Sequence, residues 1–422
     1  MKLGYLSQYF DAVASKRLSA VETDPSRSHQ HEFNGVKKLT HMFGIPSEKQ
    51  TFPATFLYLC DDEYDATPES GFVTWSDYRS TPPKNTRDKI WLSGKRRSPE
   101  CRLYYPTTTM SMNMAEGDLL VIAKRPNGHI LVIVAEAGSD IERQLCWLFN
   151  LGNPQLNISL RVALETEQDR LGFASRVVLE AIGVTVEDSD ETWLDRMLRD
   201  FNGQFPDTST FSLFARDTMP DIADADLKGD PDRVLLEWCT REEILFRTLE
   251  KHLVAERLRK GFFGEDAFDE FDELSKQVTN RRKSRAGRAL ENHLEHMFKR
   301  CRIRYTRGGR TENHAKPDFL FPGVAEYHQS TFPVSLLTML GVKNTCRDRW
   351  RQVLAEATRI SPKHLLTLEP AITVRQTDEM ASQQIRLVVP REIQSTYDDK
   401  QRPSLLSVAD FLRHVEKKQS AE

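Results

Sequence analysis

The chain of 422 residues is longer than one hydrophobic core usually serves, so we expect two domains. Its mean hydropathy of -0.53 argues against a membrane protein, and no run approaches the roughly 20 apolar residues that span a bilayer. The apolar stretch at the N-terminus is short and interrupted, unlike a secretory signal, so a cytoplasmic location is expected. The net charge of -3 would disfavour a polyanionic partner only if the charge were spread evenly along the chain.

Residues 1–178 predict a β-rich domain. Short runs of aliphatic and aromatic strand formers lie at 56–60, 72–75, 102–105, 118–124 and 129–136. The segment Arg-Pro-Asn-Gly between the last two runs is a turn signal that predicts a hairpin. Helical patterns near 4–15 and 139–149 flank the strands.

Residues 179–192 end in an acidic segment and are predicted to link the domains. Residues 193–422 then show helical spacing of apolar residues at 193–201, 232–262 and 286–300, followed by short apolar strands at 318–321, 339–343, 364–368 and 385–390. Helices that frame a short mixed sheet indicate an α/β domain. The chain as a whole is therefore predicted to be a multidomain α/β protein.

Charge is segregated within the second domain. From Lys276 to Arg310 there are 12 Lys and Arg residues and two acids, whereas acids prevail from Glu187 to Asp232. The basic stretch could bind a polyanion such as DNA, and the acidic stretch would repel one.

Asp318 and Lys343 each lie at the end of a predicted buried strand, where no apolar role explains a charge. Phosphodiester hydrolysis needs a hard cation held by carboxylates, an activated water and positive charge near the phosphate. An Asp and a Lys on adjacent strands supply most of that set, and the pair resembles the PD-(D/E)XK nuclease motif. That motif also has an acid two residues before the lysine, where this chain has Gly341.

Two further acids could complete the site. Glu356 lies 13 residues after Lys343 on the predicted helix 347–360, and one group of restriction endonucleases draws its second acid from this downstream helix. Glu291 lies at the margin of the apolar stripe of the helix 289–298. Asp318 alone is more simply interpreted as a carboxylate that begins a strand, so the wider sequence context decides.

The strings NRRKSRAGRALENHLEHMF, KPDFLFPGVAEYH and FPVSLLTMLGVKNTCRDRWRQVLAEA resemble the catalytic domain of EcoRII-type restriction endonucleases in order and spacing. The resemblance is dense over about 260–370. It implies a restriction-endonuclease-like α/β domain with a mixed central sheet, preceded by an N-terminal B3-like pseudobarrel that binds effector DNA.

The resemblance also implies roles. Glu291, Asp318, Lys343 and Glu356 fall on the family's active-site positions, with Asp318, Glu356 and Glu291 as Mg²⁺ ligands and Lys343 beside the attacking water or the phosphate. Tyr327 falls on the family's tyrosine and is expected to be auxiliary. A homodimer through the C-terminal domain, 5′-phosphate products and a cognate DNA methyltransferase acting on the same site are implied as well.

Several side chains are predicted to contact DNA. Arg347, Asp348 and Arg349 could read adjacent G·C pairs, because arginine forks fit guanine and aspartate accepts from cytosine. The bland alternative for this segment is a solvated helix face with Asp348 paired to Arg351. Basic residues expected to position phosphates are Arg281, Arg282, Lys283 and Arg285.

The N-terminal segments 12–20 and 28–33 resemble the start of the family's effector domain, and 84–89 falls on its second recognition arm. The residues predicted to contact DNA there are Arg17, His29, Lys84, Arg87 and Lys89. An ordinary solvated loop is the alternative.

Three functions remain open on sequence grounds. The first is a type II restriction endonuclease that cuts a CC/GG-containing pseudopalindrome and whose N-terminal domain binds a second DNA copy. The second is a DNA-binding regulator that does not cut, which the complete acid and lysine set disfavours. The third is a repair or RNA nuclease of the same fold, which the Arg-Asp-Arg segment disfavours.

Overall fold

The computed structural model describes residues 4–23, 31–33, 36–61, 67–77, 100–186, 191–346 and 349–421. The chain divides into two compact units, one of residues 1–186 with 371–373 and one of residues 187–370 with 374–422. Within the described residues, no helix is long and apolar enough to cross a membrane.

An eight-stranded sheet forms the first unit. Its strands are β1 Ala12–Arg17, β2 Glu32–Phe33, β3 Gln50–Leu59, β4 Glu69–Asp77, β5 Cys101–Tyr104, β6 Leu119–Lys124, β7 Ile130–Ala135 and β8 Ser159–Val162. Their order is β2-β5-β4-β3-β7-β6-β1-β8, and every neighbouring pair is antiparallel except β3 and β7. The prediction of a β-rich first domain is confirmed.

Central strands of this sheet are buried on both faces, because separate apolar clusters pack against each side. Along β6, Leu120 and Ile122 face one cluster, whereas Leu119 and Val121 face the other. This two-sided burial explains the nearly continuous apolar run. The predicted hairpin is confirmed, since β6 pairs antiparallel with β7 and Gly128 in the turn has a φ of 81°.

Short helices accompany the sheet. They are α1 Ala20–Thr23, α2 Thr40–Phe43, α3 Thr109–Asn113, α4 Asp140–Leu148 and α5 Phe173–Ala181. α4 agrees with the helix predicted near 139–149.

Two sequence predictions for this unit need correction. The helix predicted near 4–15 is wrong. Only a single 3₁₀ turn forms, at Leu6–Gln8, and from residue 12 onward β1 pairs with β6 and β8, so sheet pairing overrides the local apolar pattern. The start predicted for the linker, residue 179, is too early. Leu179, Ile182 and Val184 are buried in the core of the first unit.

The second unit contains a five-stranded mixed sheet. Its strands are β9 Thr306–Arg307, β10 Phe319–Phe321, β11 Thr338–Lys343, β12 Lys363–Thr367 and β13 Ile385–Val388. The order is β13-β12-β11-β10-β9. β10 pairs antiparallel with both β9 and β11, whereas β11, β12 and β13 run parallel.

Helices cover this sheet and build a separate helical layer. Their bounds are α6 Leu194–Asp200, α7 Thr208–Asp217, α8 Asp224–Gly229, α9 Pro231–Lys260, α10 Ala267–Arg300, α11 Val324–His328, α12 Trp350–Leu354, α13 Val374–Ser382, α14 Arg391–Gln394 and α15 Val408–Gln419. Phe298 of α10 packs edge-on against Phe319 and Phe321 of β10, with ring centroids 5.1 and 5.2 Å apart. The predicted mixed sheet framed by helices is confirmed.

Candidate active site

Asp318 and Lys343 meet at the junction of two strands. Asp318 immediately precedes β10 and Lys343 ends β11, and the antiparallel register with Phe319 opposite Leu340 places these ends side by side. Oδ2 of Asp318 accepts hydrogen bonds from the backbone N–H of Val342 at 2.6 Å and from Nζ of Lys343 at 3.1 Å. The two side chains are only 19% and 13% exposed, so solvent screens their attraction weakly.

Glu356 lies in a turn and not on a helix. The predicted helix 347–360 is too long at its C-terminal end, because α12 ends at Leu354. Nζ of Lys363 caps this end of the helix, since it donates to the carbonyl oxygens of Val353 at 3.2 Å and Leu354 at 2.5 Å. A cation suits these terminal carbonyls, which have no partner within the helix.

The charges of Asp318, Lys343 and Lys363 act on the pKa of the Glu356 carboxyl. Burial is the largest cause of a pKa raised to about 7; nearby Asp318 also raises the pKa, whereas Lys343 and Lys363 lower it. The carboxylates of Asp318 and Glu356 and the ammonium of Lys343 therefore interact electrostatically in a partly buried site.

This neighbourhood fits a divalent cation. Oε2 of Glu356 is buried and has no hydrogen-bond partner among the residues that the structure describes, which is a costly state for a carboxylate oxygen. Carboxylate oxygens are the ligands that Mg²⁺ prefers. Asp318 and Glu356 are therefore the residues that could hold it.

Little space surrounds Gly341 on β11, two residues before Lys343. A Cβ at this position would lie 2.9 Å from Cγ2 of Val353 and 3.5 Å from Cδ1 of Leu365. The side chain would point toward the same sheet face as Lys343, because residues two apart on a strand share a face. Val353 of α12 already occupies that space, so a carboxylate there would have to displace it.

Glu291 occupies a different part of the site. Its Oε2 accepts from Nη2 of Arg307 at 2.8 Å, while Nη1 of the same arginine bonds Asn292 at 2.8 Å and Glu295 at 2.7 Å. Arg307 lies on β9 directly opposite Phe319, one residue from Asp318. Glu291 is thus near the site but is engaged by an arginine.

Within the described ranges, no group of three or more His, Cys, Asp or Glu residues is gathered closely enough to hold a metal ion. The structure brings Asp318, Lys343 and Glu356 together, and it does not add Glu291 to a three-carboxylate cluster. The predicted role of Glu291 as a metal ligand stays a prediction.

Tyr327 lies behind the turn that carries Glu356. It is 1% exposed, and its hydroxyl donates to the carboxylate of Glu312 at 2.7 and 2.6 Å. The amide of Arg359 donates to the same hydroxyl at 3.3 Å. This placement is consistent with the auxiliary role expected for Tyr327.

The predicted phosphate-contacting residues of α10 are not equivalent. Arg282 donates from Nε to Glu250 at 2.7 Å with its side chain 46% exposed, and Arg281 lies over the ring of Phe205 at 4.4 Å. The Lys283 side chain lies outside the described residues.

Arg285 differs from its neighbours, because it is buried and paired with Glu242 and Glu243. Its guanidinium also lies 4.0 Å from the ring centroid of Phe246. In this conformation Arg285 belongs to the helical core and is not available to a phosphate.

Other predicted DNA contacts are only partly placed. Arg349 is exposed and immediately precedes α12. In the first unit, Arg17 pairs with Glu142 and donates to the carbonyl of Gly117 at 3.1 Å, which does not favour a free DNA contact. The predicted residues that lie outside the described ranges are His29, Lys84, Arg87, Lys89, Arg347 and Asp348.

Three residues of the site were not predicted from the sequence, namely Arg307, Glu312 and Lys363. Arg307 belongs to a stretch in which 12 Lys and Arg residues look alike. Glu312 lies in a loop without a motif. Lys363 did carry a signal, because a lysine that begins an apolar strand is unusual.

Comparisons with known proteins agree with the sequence resemblance. Residues 246–412 match the family model described as EcoRII C terminal. The type II restriction enzyme EcoRII of Escherichia coli is 44% identical over 187 residues, which are 44% of this chain and 46% of that protein. The chain thus matches less than half the length of this relative.

Solved structures with some likeness to the chain include metal-depleted Ecl18kI in complex with uncleaved, modified DNA, at 19% identity and a TM-score of 0.45 over 56% of this chain and 86% of that one. The PspGI complex with substrate DNA is 18% identical with a TM-score of 0.41 over 52% of this chain and 95% of that one.

Proposed function

Because residues 246–412 match the EcoRII C-terminal family model, we propose that this protein is a type II restriction endonuclease that hydrolyses both strands of DNA with Mg²⁺. The observation that carries the proposal is the convergence of Asp318, Lys343 and Glu356, with a buried oxygen of Glu356 that has no hydrogen-bond partner within the described part of the chain. A site of two acids and one lysine has the charges that phosphodiester hydrolysis needs.

Asp318 and Glu356 would hold Mg²⁺, which when bound polarises phosphate oxygens and acidifies water. Lys343 supplies a positive charge that Asp318 holds in place through a 3.1 Å hydrogen bond, and we propose that its Nζ binds the scissile phosphate or orients the attacking water. Glu356 must be ionised to act, because its protonated form would not bind a cation. Glu291 would orient water from its place beside Arg307.

The DNA site is proposed to be a short CC/GG-containing pseudopalindrome. Arg347, Asp348 and Arg349 follow Lys343 closely in the sequence, so side chains that read bases would lie near the group that contacts the backbone. Cutting both strands symmetrically requires two active sites related by a two-fold axis, hence a homodimer through the second domain.

Regulation is proposed to reside in the first unit, which would be a B3-like domain that binds a second DNA copy. A cognate DNA methyltransferase would protect host sites. Adding a short duplex that carries the site should then stimulate cleavage of a single-site plasmid by the full chain. An unaffected rate would contradict this regulation without contradicting the nuclease.

The proposed activity is tested by digesting plasmids of known sequence with Mg²⁺ and, in parallel, with excess chelator. We expect discrete fragments with 5′-phosphate ends only with Mg²⁺, and sequencing of the ends would give the recognition site. Sequence-specific binding without any cut would support the non-cutting regulator. Cleavage of RNA or of branched DNA alone would support the repair or RNA nuclease.

A further inference from the structure

The turn after α12 is held from outside by a segment of the chain far from it in sequence. Glu356 and the residues that follow it contain no regular structure, and Ala357 has a φ of 46°, a left-handed conformation that residues with side chains seldom adopt without support. A carboxylate in such a turn keeps its position only if neighbouring groups fix the backbone.

Three backbone amides of this turn donate to side chains of one cluster. The N–H of Ala357 donates to Oγ1 of Thr311 at 3.4 Å and that of Thr358 to Oε2 of Glu312 at 3.4 Å. The N–H of Arg359 donates to the hydroxyl of Tyr327 at 3.3 Å. The three donors immediately follow Glu356, so the cluster fixes the backbone that carries it.

Glu312 is the centre of this cluster. Both of its oxygens accept from the Tyr327 hydroxyl at 2.7 and 2.6 Å, so the same carboxylate orients the tyrosine and binds the turn. Hydrogen bonds to an ionised acceptor are roughly twice as strong as neutral ones. The tyrosine ring is buried, which gives the cluster a rigid base.

Further contacts fix both ends of the turn. The guanidinium of Arg359 donates to the carbonyl of Tyr327 and lies over its ring, 5.4 Å from the centroid. Lys363 holds the end of α12 just before the turn. Glu356 therefore lies between two anchored segments.

We propose that Glu312 is a positioning residue, which holds the turn 356–359 through Thr358 and Tyr327 and thereby places the Glu356 carboxylate beside Asp318 for cation binding. The inference rests on the proposed function for its meaning in catalysis. Glu312 itself reaches neither cation nor DNA in this account. Residues that orient a metal ligand commonly contribute roughly 10- to 100-fold in metal affinity or activity.

The test compares Glu312→Ala, Glu312→Gln and Glu416→Ala with the wild-type full chain. Glu416→Ala is the matched control, because it removes an exposed carboxylate on α15. Two readouts are independent of cleavage, namely hydrogen exchange of the amides of residues 357–359 and calorimetric binding of Ca²⁺. A third is the Mg²⁺ concentration at half-maximal cleavage, with kcat and KM for DNA measured separately.

For Glu312→Ala we expect faster exchange of these amides, cation affinity weakened roughly tenfold or more, a lower kcat and an unchanged KM. Glu312→Gln keeps an acceptor for Thr358 and should restore part of each property. A folded Glu312→Ala protein with wild-type exchange and wild-type Ca²⁺ affinity would overturn the proposal.

Failure of the proposed function is distinguishable, because a wild-type chain that binds Ca²⁺ but does not cut DNA still reports on Glu312 through exchange and calorimetry. If Glu312→Ala does not fold, Tyr327→Phe removes only the bridging hydroxyl. It should accelerate exchange at Arg359 and weaken Ca²⁺ binding, and wild-type values for both would overturn the proposal.

Discussion

Gly341 packs so closely against Val353 that a Cβ on the glycine would lie 2.9 Å from Cγ2 of the valine. β11 and α12 thus approach each other at the position where the PD-(D/E)XK motif has its second acid. The turn that follows α12 carries Glu356, whose carboxyl is close enough to Asp318 and Lys343 for both charges to act on its pKa.

This contact predicts coupling between the two positions. Gly341→Ala should destabilise the protein by about 1–3 kcal/mol through overpacking, whereas in a Val353→Ala background the same change should cost less, because the space has been vacated. Urea unfolding of the four proteins of this cycle measures the coupling. Strictly additive effects would show that the contact is relieved elsewhere.

Glu356→Gln should stabilise the metal-free protein at high pH. The folded carboxyl has a pKa of about 7 against an ordinary value of 4.5, so it favours the protonated form. Its contribution to stability is fully present below pH 4.5 and is lost as the pH rises through about 7, with a full effect of up to about 3 kcal/mol.

The glutamine is neutral at every pH and keeps that contribution. With a chelator present, Tm of the variant should exceed that of wild type above about pH 7 and approach it near pH 4.5. A Tm difference that does not change with pH would contradict the raised pKa.

Arg307→Ala should remove the hydrogen bond to the Glu291 carboxylate and one of the positive charges that neutralise Glu295. Its guanidinium bonds three side chains of α10, and losing hydrogen bonds to charged groups costs about 1.5–3 kcal/mol each in favourable cases. We expect lower thermal stability and reduced cleavage. Arg386→Ala, an exposed arginine on β13, is the control, and an equal loss in both variants would argue against a specific role for Arg307.

Much of the second unit could be predicted from sequence, because its strands are short apolar runs buried on the sheet and its helices carry regular apolar stripes. The pair Asp318 and Lys343 could be predicted for the same reason, since a charge at the end of a buried strand stands out. The sequence places Glu356 on a predicted helix, because no neighbouring residue indicates that α12 ends at Leu354. Lys363, which caps that end, lies further along the chain.

Less could be predicted from the sequence where long-range contacts decide the structure, as the first unit shows. The helical pattern predicted near 4–15 extends into a segment that instead forms β1, because β6 and β8 pair with both of its edges. Glu312 and Arg307 could not be found either, since their roles arise from contacts with residues 12 to 46 positions away in sequence. Such contacts leave no periodic trace.

We propose that Asp318, Lys343 and Glu356 form one Mg²⁺-dependent active site for DNA cleavage. The most direct measurement compares wild type, Lys343→Ala and the exposed control Lys400→Ala for plasmid cleavage in Mg²⁺ and for DNA binding in Ca²⁺. We predict that wild type and Lys400→Ala cut at the same sites, and that Lys343→Ala binds DNA but cuts at least about 100-fold more slowly. Cleavage by Lys343→Ala at the wild-type rate, or a wild type that binds DNA and never cuts it, would contradict the account.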